Sequence, residues 1–313
     1  MKLLCVFGPT ACHKSETALS LAQELDGEIL SCDSVAVYRG FDIGSAKPTK
    51  EEQAKIPHHL IDIVDPTDQS FSVSTFQKAA DRVIYDCFSR GKLPILAGGT
   101  GMYADGVLRD MRYAVPGDSS IRNALSLEYE QDRVAFVQKL KEIDFAAGNR
   151  IPLNDKKRLV RAMEVYMLTG RPFSSYNDEY EQARKRMRYD SVRIGLTMDR
   201  QALYQRIDQR VNRMLETGLL DEVRALHDKF PDRNLPAVQS IGYAQLFDYF
   251  DGKCLLETAV EKIKLDSRHL AKRQLTWFKR DEGIRWFACD DWPLTLEKVQ
   301  AYCKEALGAE ERK

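Results

Sequence analysis

The sequence carries no excess charge of either sign: 47 lysines and arginines face 47 aspartates and glutamates. Proteins that hold nucleic acid by bulk electrostatics are usually basic, so a polynucleotide partner would have to be met by local clusters. Long apolar runs are also missing, and no window approaches the roughly 20 apolar residues of a membrane-crossing helix. Met1 to Phe7 lead straight into a strand-like stretch, without the basic, apolar and small-residue order of a secretory leader. The seven cysteines (Cys5, Cys12, Cys32, Cys87, Cys254, Cys289 and Cys303) are odd in number, and no two have metal-site spacing. A disulfide framework and a zinc site are therefore not expected, and a reducing cytoplasm is. Repeats and low-complexity tracts are absent.

What is present is ordinary globular material, 43% hydrophobic and 30% charged, in a chain of 313 residues. That length suits one large domain, or a core domain carrying a smaller one. Residues 2–7 read as a buried strand bounded by Gly8 and Pro9. A helix follows, with Ala18, Leu21, Ala22 and Leu25 on one face and Gly27 as a natural stop. Residues 28–31 read as a second strand ending before Asp33. Residues 72–90 carry a strong helical stripe, and 93–97 a third strand running into Gly98-Gly99-Thr100-Gly101. This alternation predicts an α/β fold with a parallel sheet, in which ligands bind beyond the carboxyl ends of the strands. Gly8 to Ser15, Asp33-Ser34 and Gly98 to Gly101 all fall at those ends. From Pro116 to Tyr189 the chain is charged and helix-prone, and strand character returns at 192–197 and 283–288. The expected organisation is a P-loop NTPase-like core of residues 1–115 and 190–313, with a helical insertion at 116–189.

Gly8-Pro9-Thr10-Ala11-Cys12-His13-Lys14-Ser15 follows a strand and opens a helix, the context a phosphate loop needs. Loop amides and the helix dipole favour an anion there. Lys14 would place a cation on the phosphate, and Ser15 would offer a hydroxyl to Mg²⁺. His13 stands where the pattern has glycine, whose lack of a Cβ lets backbone approach phosphate. It would tolerate the loop conformation, distort it, or add an imidazole to the site.

Asp33, at a strand end near the loop, could serve as a general base or a Mg²⁺ ligand, although from the local sequence alone the reading as a helix cap or turn residue prevails. Thr100 reads locally as part of a glycine-rich turn. His58-His59, His227 and His269 have no accompanying ligand cluster and read as packing or hydrogen-bonding residues. Three local basic clusters stand out: Arg150 to Arg171, Arg184 to Arg188, and Lys262 to Arg280, where Lys264, Arg268 and Lys272 share a helix face. Basic faces near a cleft suit a phosphate backbone, and equally a solvated helix surface.

Taken together, these residues resemble the tRNA dimethylallyltransferases, also called isopentenyl-tRNA transferases, over nearly the whole chain. Gly8-Pro9-Thr10-Ala11 with Lys14-Ser15 is similar to that family's phosphate loop. The run Asp33 to Gly40 with Asp42-Ile43-Gly44-Ser45-Ala46-Lys47-Pro48 is similar to a long and specific family motif. So are His58 to Asp62, Gly98 to Tyr103, Asn154-Asp155 with Arg158 and Arg161, Thr169 to Pro172, Ile241-Gly242-Tyr243, and Ala271 to Gln274 with Thr276 to Phe278.

The resemblance implies a monomer that moves a dimethylallyl group from dimethylallyl diphosphate to an adenine of tRNA, with Mg²⁺. Gly8 to Ser15 would grip the diphosphate, and Ser15 would serve the metal. Asp33 would take a proton from the adenine amine, and Thr100 and Arg210 would help hold diphosphate and target. Contacts to tRNA would come from Asp33, Ser34, Val35, Ala36, Thr100, Arg122, Lys157, Arg158, Leu159, Val160, Arg161, Gln239, Ser240, Ile241, Gly242, Tyr243 and Ala244. The chain departs from the family pattern at His13, at Cys12 (a small hydroxyl residue there), at Ala36 (a glutamine there) and at Ala104-Asp105 (a basic residue in many members). Three rival functions stay open on sequence alone: a small-molecule P-loop kinase, a transferase acting on free adenine nucleotides, and a tRNA-binding paralogue whose activity the His13 and Ala36 changes have reduced or removed.

Overall fold

The computed structural model of the chain describes residues 2–111, 115 and 117–308, with the backbone alone at Asp178 and Arg184. It divides into two compact units, Met1–Val107 with Tyr189–Lys313, and Leu108–Arg188. The second unit thus begins earlier than position 116, which itself lies outside the described residues. The helix Gly101–Leu108 continues directly from a core strand with Ala104, Val107 and Leu108 buried, so the chain leaves the core at its end, before composition changes.

The first unit contains six strands: β1 (Leu3–Phe7), β2 (Gly27–Cys32), β3 (His58–His59), β4 (Leu93–Gly98), β5 (Ser191–Thr197) and β6 (Arg285–Ala288). They form one parallel sheet in the order β3-β2-β4-β1-β5-β6. All five residues of β1 are buried, as expected of a central strand covered on both faces. Register decides where the site can be. Phe7 pairs with Gly98, and Gly98 with Cys32, so the chain emerges from β1, β4 and β2 at one level. The core joins Leu4, Val6, Ile95, Ile194 and Leu196 of the sheet to Ala18 and Leu21 of the helix Lys14–Glu24, and to Leu203 and Ile207 of the helix Arg200–Glu216.

One local reading is corrected. The helix Lys14–Glu24 is not stopped by Gly27; Asp26 takes the left-handed turn (φ 51°), and Gly27 already belongs to β2. A Cβ at Gly27 would lie 2.9 Å from the Leu93 carbonyl oxygen, so glycine is needed there for strand approach. His58-His59 hydrogen-bond as expected, to the Ile56 carbonyl and to Glu28, and form the edge strand β3, too short to show a period in sequence.

The second unit is helical. Asp118, Asp132, Asp144 and Asp155 cap the helices Ser119–Gln131, Arg133–Ile143, Phe145–Arg150 and Lys156–Thr169 through their side chains. Its core includes Tyr129, Phe136, Leu140, Leu159 and Met163.

Glu28, on β2, anchors the sheet edge. Arg90 donates to both of its carboxylate oxygens (2.5 and 2.8 Å), and His59 Nε2 lies 2.8 Å from Oε2. Glu28, His59 and Cys87 offer ligand atoms within 4.8 Å of one another. Arg90 already neutralises the carboxylate, and burial, followed by Glu28 itself, pushes the Cys87 thiol up to about 12, so the trio is a poor metal site. Hydrogen bonds from Arg90, followed by His59, hold the Glu28 carboxyl down to about 2 from an ordinary 4.5, against its burial. A depressed carboxyl stabilises the fold above its unfolded pKa and loses that contribution as pH falls through the folded one. Glu28→Gln should therefore lower stability by about 1–3 kcal/mol at neutral pH, with the difference from wild type shrinking between pH 4.5 and about 2. Urea titrations across that range check this, and a pH-independent difference would contradict it.

Candidate active site

The segment after β1 folds as a phosphate loop. Gly8 has φ 151°, and a Cβ there would meet the Leu196 carbonyl oxygen at 2.6 Å. Ala11 and His13 both adopt left-handed backbone, with φ of 64° and 62°. A non-glycine residue in that region costs roughly 1–2 kcal/mol. His13 meets the cost with contacts of its own. Its ring stacks on Trp292, with centroids 4.1 Å apart and planes 9° from parallel, and Nδ1 lies 2.5 Å from Glu16 Oε2. The imidazole is therefore committed to Trp292 and Glu16, and the loop tolerates the substitution. The helix Lys14–Glu24 starts immediately afterwards, with the Thr17 amide donating to the His13 carbonyl at 2.9 Å. Its first-turn amides lack intrahelical partners, as at every helix start.

Three loop residues have groups engaged within the protein. Cys12 is buried, and its thiol donates to the Pro9 carbonyl at 2.9 Å, filling space under the loop. Pro9 has no N–H, and its carbonyl also accepts from Lys14 Nζ at 2.6 Å. The Thr10 amide donates to Gln274 Oε1 at 2.9 Å. Lys14 is half-buried and Ser15 exposed, at the mouth of the loop.

The helix Arg200–Glu216 turns its Leu203, Ile207 and Val211 into the core. Arg206, Arg210 and Arg213 lie along the adjacent line, at i, i+4 and i+7, and with residues 11–16 they enclose a depression of about 270 Å³. Arg206 Nε donates to the Ala11 carbonyl at 2.9 Å, fixing helix to loop. Burial, and then the neighbouring Arg210, pulls Lys14 below its usual pKa, while Asp33 works against the shift. Burial also lowers Arg210, again opposed by Asp33. Two cations strained by desolvation beside a helix N-terminus form a site that an anion relieves.

Asp33 follows β2. Its Oδ1 accepts from the amides of Val35 (2.8 Å) and Ala36 (3.1 Å), which fixes the carboxylate. Among the described residues no hydrogen bond to Oδ2 is present, leaving that oxygen available as a proton acceptor. Thr100, after β4, donates its amide to the Cys32 carbonyl at 3.1 Å and accepts the Ser34 amide on Oγ1 at 3.0 Å. It holds the Asp33-Ser34 segment and does not line the cavity. The glycines around it serve close approach: a Cβ at Gly99 would sit 2.1 Å from Gln274 Nε2, and one at Gly101 would sit 2.2 Å from Trp277.

A cavity of about 360 Å³ lies over these strand ends. Lys14, Ser15, Asp33 to Ala36, Arg210 and Gln239 to Gly242 share its lining with Lys47 and Gln274. Two of the expected contact residues nearby are not surface groups. Ala36 is 3% exposed, and Tyr243 is fully buried against Phe41. Ala244 lies outside the lining and donates its amide to Ser240.

In the second unit, Lys157 and Arg158 are exposed at the start of the helix Lys156–Thr169. Leu159 and Val160 are core residues, because the helix turns that face inward, so their side chains cannot meet a partner. Arg161 Nη1 donates to Glu164 Oε2 (2.7 Å) and Nη2 to the Val115 carbonyl (2.6 Å), while Arg122 Nη2 reaches both Glu164 oxygens at 3.1 Å. Burial works to raise the Glu164 pKa, but the bonds from Arg161, the Asp118 amide and Arg122 outweigh it and hold it below its ordinary value. Arg122 and Arg161 thus have a structural duty beside any role in binding.

Sequence reasoning did not single out Arg206, Arg213, Gln274 or Trp292 as site residues. Gln274 and Thr10 are 264 positions apart, and nothing local marks such a pairing. Because the His13 ring faces Trp292, His13→Gly should keep or improve affinity for inorganic pyrophosphate, measured by calorimetry. A loss of about tenfold or more would mean that the imidazole touches the anion.

Known proteins bear on this geometry directly. A family model described as IPP transferase matches residues 36–281, and one described as isopentenyl transferase matches residues 1–66. The tRNA dimethylallyltransferase of Geobacillus kaustophilus (strain HTA426) is 42% identical over 310 residues, covering 98% of this chain and 96% of the relative. That of Shouchella clausii (strain KSM-K16) is 45% identical over 302 residues, covering 96% and 95%. Among solved structures, the tRNA isopentenylpyrophosphate transferase of Bacillus halodurans aligns with a TM-score of 0.72 at 39% identity, covering 99% of this chain and 98% of that one. A eukaryotic dimethylallyltransferase acting on tRNA aligns with a TM-score of 0.81 at 25% identity, covering 100% and 80%. The six-stranded parallel sheet, its phosphate loop and these full-length matches agree: the chain belongs to the IPP transferase family.

Proposed function

We propose that this enzyme transfers a dimethylallyl group from dimethylallyl diphosphate to the N6 amine of an adenine in tRNA, at position 37 beside the anticodon, giving N6-isopentenyladenosine. The observation that carries the reading is the juxtaposition, in one cavity, of a fixed carboxylate with a free oxygen and two half-buried cations beside a helix N-terminus. In the reaction the C1–O bond to diphosphate breaks and a C1–N6 bond forms. Asp33 Oδ2 takes the N6 proton, and the diphosphate leaves with its charge held by Lys14, Arg210 and the loop amides. The adenine must leave its stack to enter, and about 360 Å³ suits a base with a five-carbon chain.

Mg²⁺ fits the residues present, since the Ser15 hydroxyl offers a hard oxygen donor on the cavity lining beside Lys14. Bound to Ser15 and the diphosphate, it would neutralise leaving-group charge. Arg122, Lys157, Arg158 and Arg161 are candidates for contacts to the tRNA backbone. No helix among the described residues is long and apolar enough to cross a membrane. The family resemblance suggests a monomer, and the free cysteines fit a reducing cytoplasm. The relatives' names support neither a small-molecule kinase nor an inactive paralogue, and the loop keeps its fold around His13, one of the two changes that favoured the latter.

Asp33→Asn keeps an oxygen for the amides of Val35 and Ala36 but removes the base. It should lower kcat by about 100-fold or more while the affinity for an unmodified anticodon stem-loop stays within about threefold. Equal losses of transfer and binding would remove Asp33 from the role of base.

A further inference from the structure

Three consecutive backbone amides converge on one side chain outside the cavity. Glu222, in the first turn of the helix Leu219–Lys229, accepts from the amides of Asp42 (Oε2, 3.2 Å), Ile43 (Oε2, 2.8 Å) and Gly44 (Oε1, 3.3 Å). Its Oε1 also accepts the Tyr243 hydroxyl at 2.7 Å. The segment is held at its other end by Lys47, whose ammonium donates to the Tyr38 carbonyl, Asp42 Oδ1 and Asp62 Oδ1, each at 2.6 Å. Ala46, just before Lys47, is left-handed (φ 51°), so the turn depends on these ties. Gly44 closes against the Tyr243 ring, where a Cβ would lie 2.6 Å away.

These contacts join two walls of the cavity. Residues 44–48 line one, Gln239 to Gly242 line another, and Tyr243 follows Gly242 directly. Glu222 itself does not line the space. We infer that Glu222 is a positioning residue for the nucleotide acceptor. It sets the separation of the two walls and so the fit of the base and its neighbours. The inference rests on the transferase reading above. The diphosphate site is built from other elements, the loop Gly8–Ser15 and Arg210, so the effect falls on the acceptor side alone. Only a carboxylate meets four donors at once. A glutamine keeps one acceptor oxygen and turns an NH₂ toward amides that also donate.

The test is steady-state transfer by Glu222→Ala, Glu222→Gln and Tyr243→Phe, varying the anticodon stem-loop at saturating dimethylallyl diphosphate, and then the reverse. KM for the stem-loop should rise about tenfold or more in Glu222→Ala, and by less in Glu222→Gln and Tyr243→Phe. KM for the donor should stay within about twofold. Amide exchange over residues 42–47 should accelerate in Glu222→Ala, a readout independent of turnover. An unchanged stem-loop KM in a folded variant, or equal rises in both KM values, would overturn the inference. If Glu222→Ala does not fold, the same criterion applies to Glu222→Gln and Tyr243→Phe. If the wild type transfers no label, the transferase reading falls. Stem-loop affinity then decides for Glu222: weaker binding by the variants upholds the clamp, and equal binding, or none by the wild type, overturns it.

Discussion

Positive charge that the protein leaves under-neutralised is the constraint around which this fold is organised. Lys14 and Arg210 sit half-buried on the lining of one cleft, beside the amides of a helix start. Asp33 is the carboxylate that opposes the desolvation of both. A diphosphate, the leaving group of the proposed prenyl transfer, would complete that charge balance. The sheet exists, in functional terms, to hold this imbalance in place. Its register brings the ends of β1, β2 and β4 to one level, and each end delivers one component: the loop, the carboxylate, and the Thr100 hydroxyl that fixes the carboxylate's neighbour.

Long-range ties then turn the imbalance into a shaped site. Arg206 pins the arginine-bearing helix to the loop through the Ala11 carbonyl, and Gln274 pins the long helix Leu256–Phe278 to Thr10. Glycines 99 and 101 let that helix approach, since any side chain there would collide with Gln274 or Trp277. The loop's departure at His13 is absorbed by the same means. Stacking on Trp292 and the contact to Glu16 hold a left-handed residue that glycine would hold without help.

The parts of this that were legible in sequence are the local ones. Strand, loop and helix around Gly8 to Ser15 follow from hydrophobic pattern and spacing, whereas Asp33 and Thr100 fall at strand ends but read locally as turn residues and take their roles from the resemblance. Arg210 was reached by resemblance, since nothing near it in the chain announces a site. Arg206, Trp292 and Glu222 were not reached, because their partners lie far away in sequence and their roles exist only after packing. Leu159, Val160 and Tyr243 show the converse. A motif can contain residues that build the surface without being part of it, and burial separates the two kinds where sequence does not. The same limit explains Gly27, whose place in a strand is set by the neighbouring strand and not by the preceding helix.

The most direct test is single-turnover transfer from labelled dimethylallyl diphosphate to an unmodified anticodon stem-loop, followed by digestion and mass analysis of the nucleosides. The account predicts label on one adenosine as an N6-substituted product, with inorganic diphosphate released in equal amount. Label that persists when that adenosine is replaced, or diphosphate release without any labelled nucleoside, would contradict it.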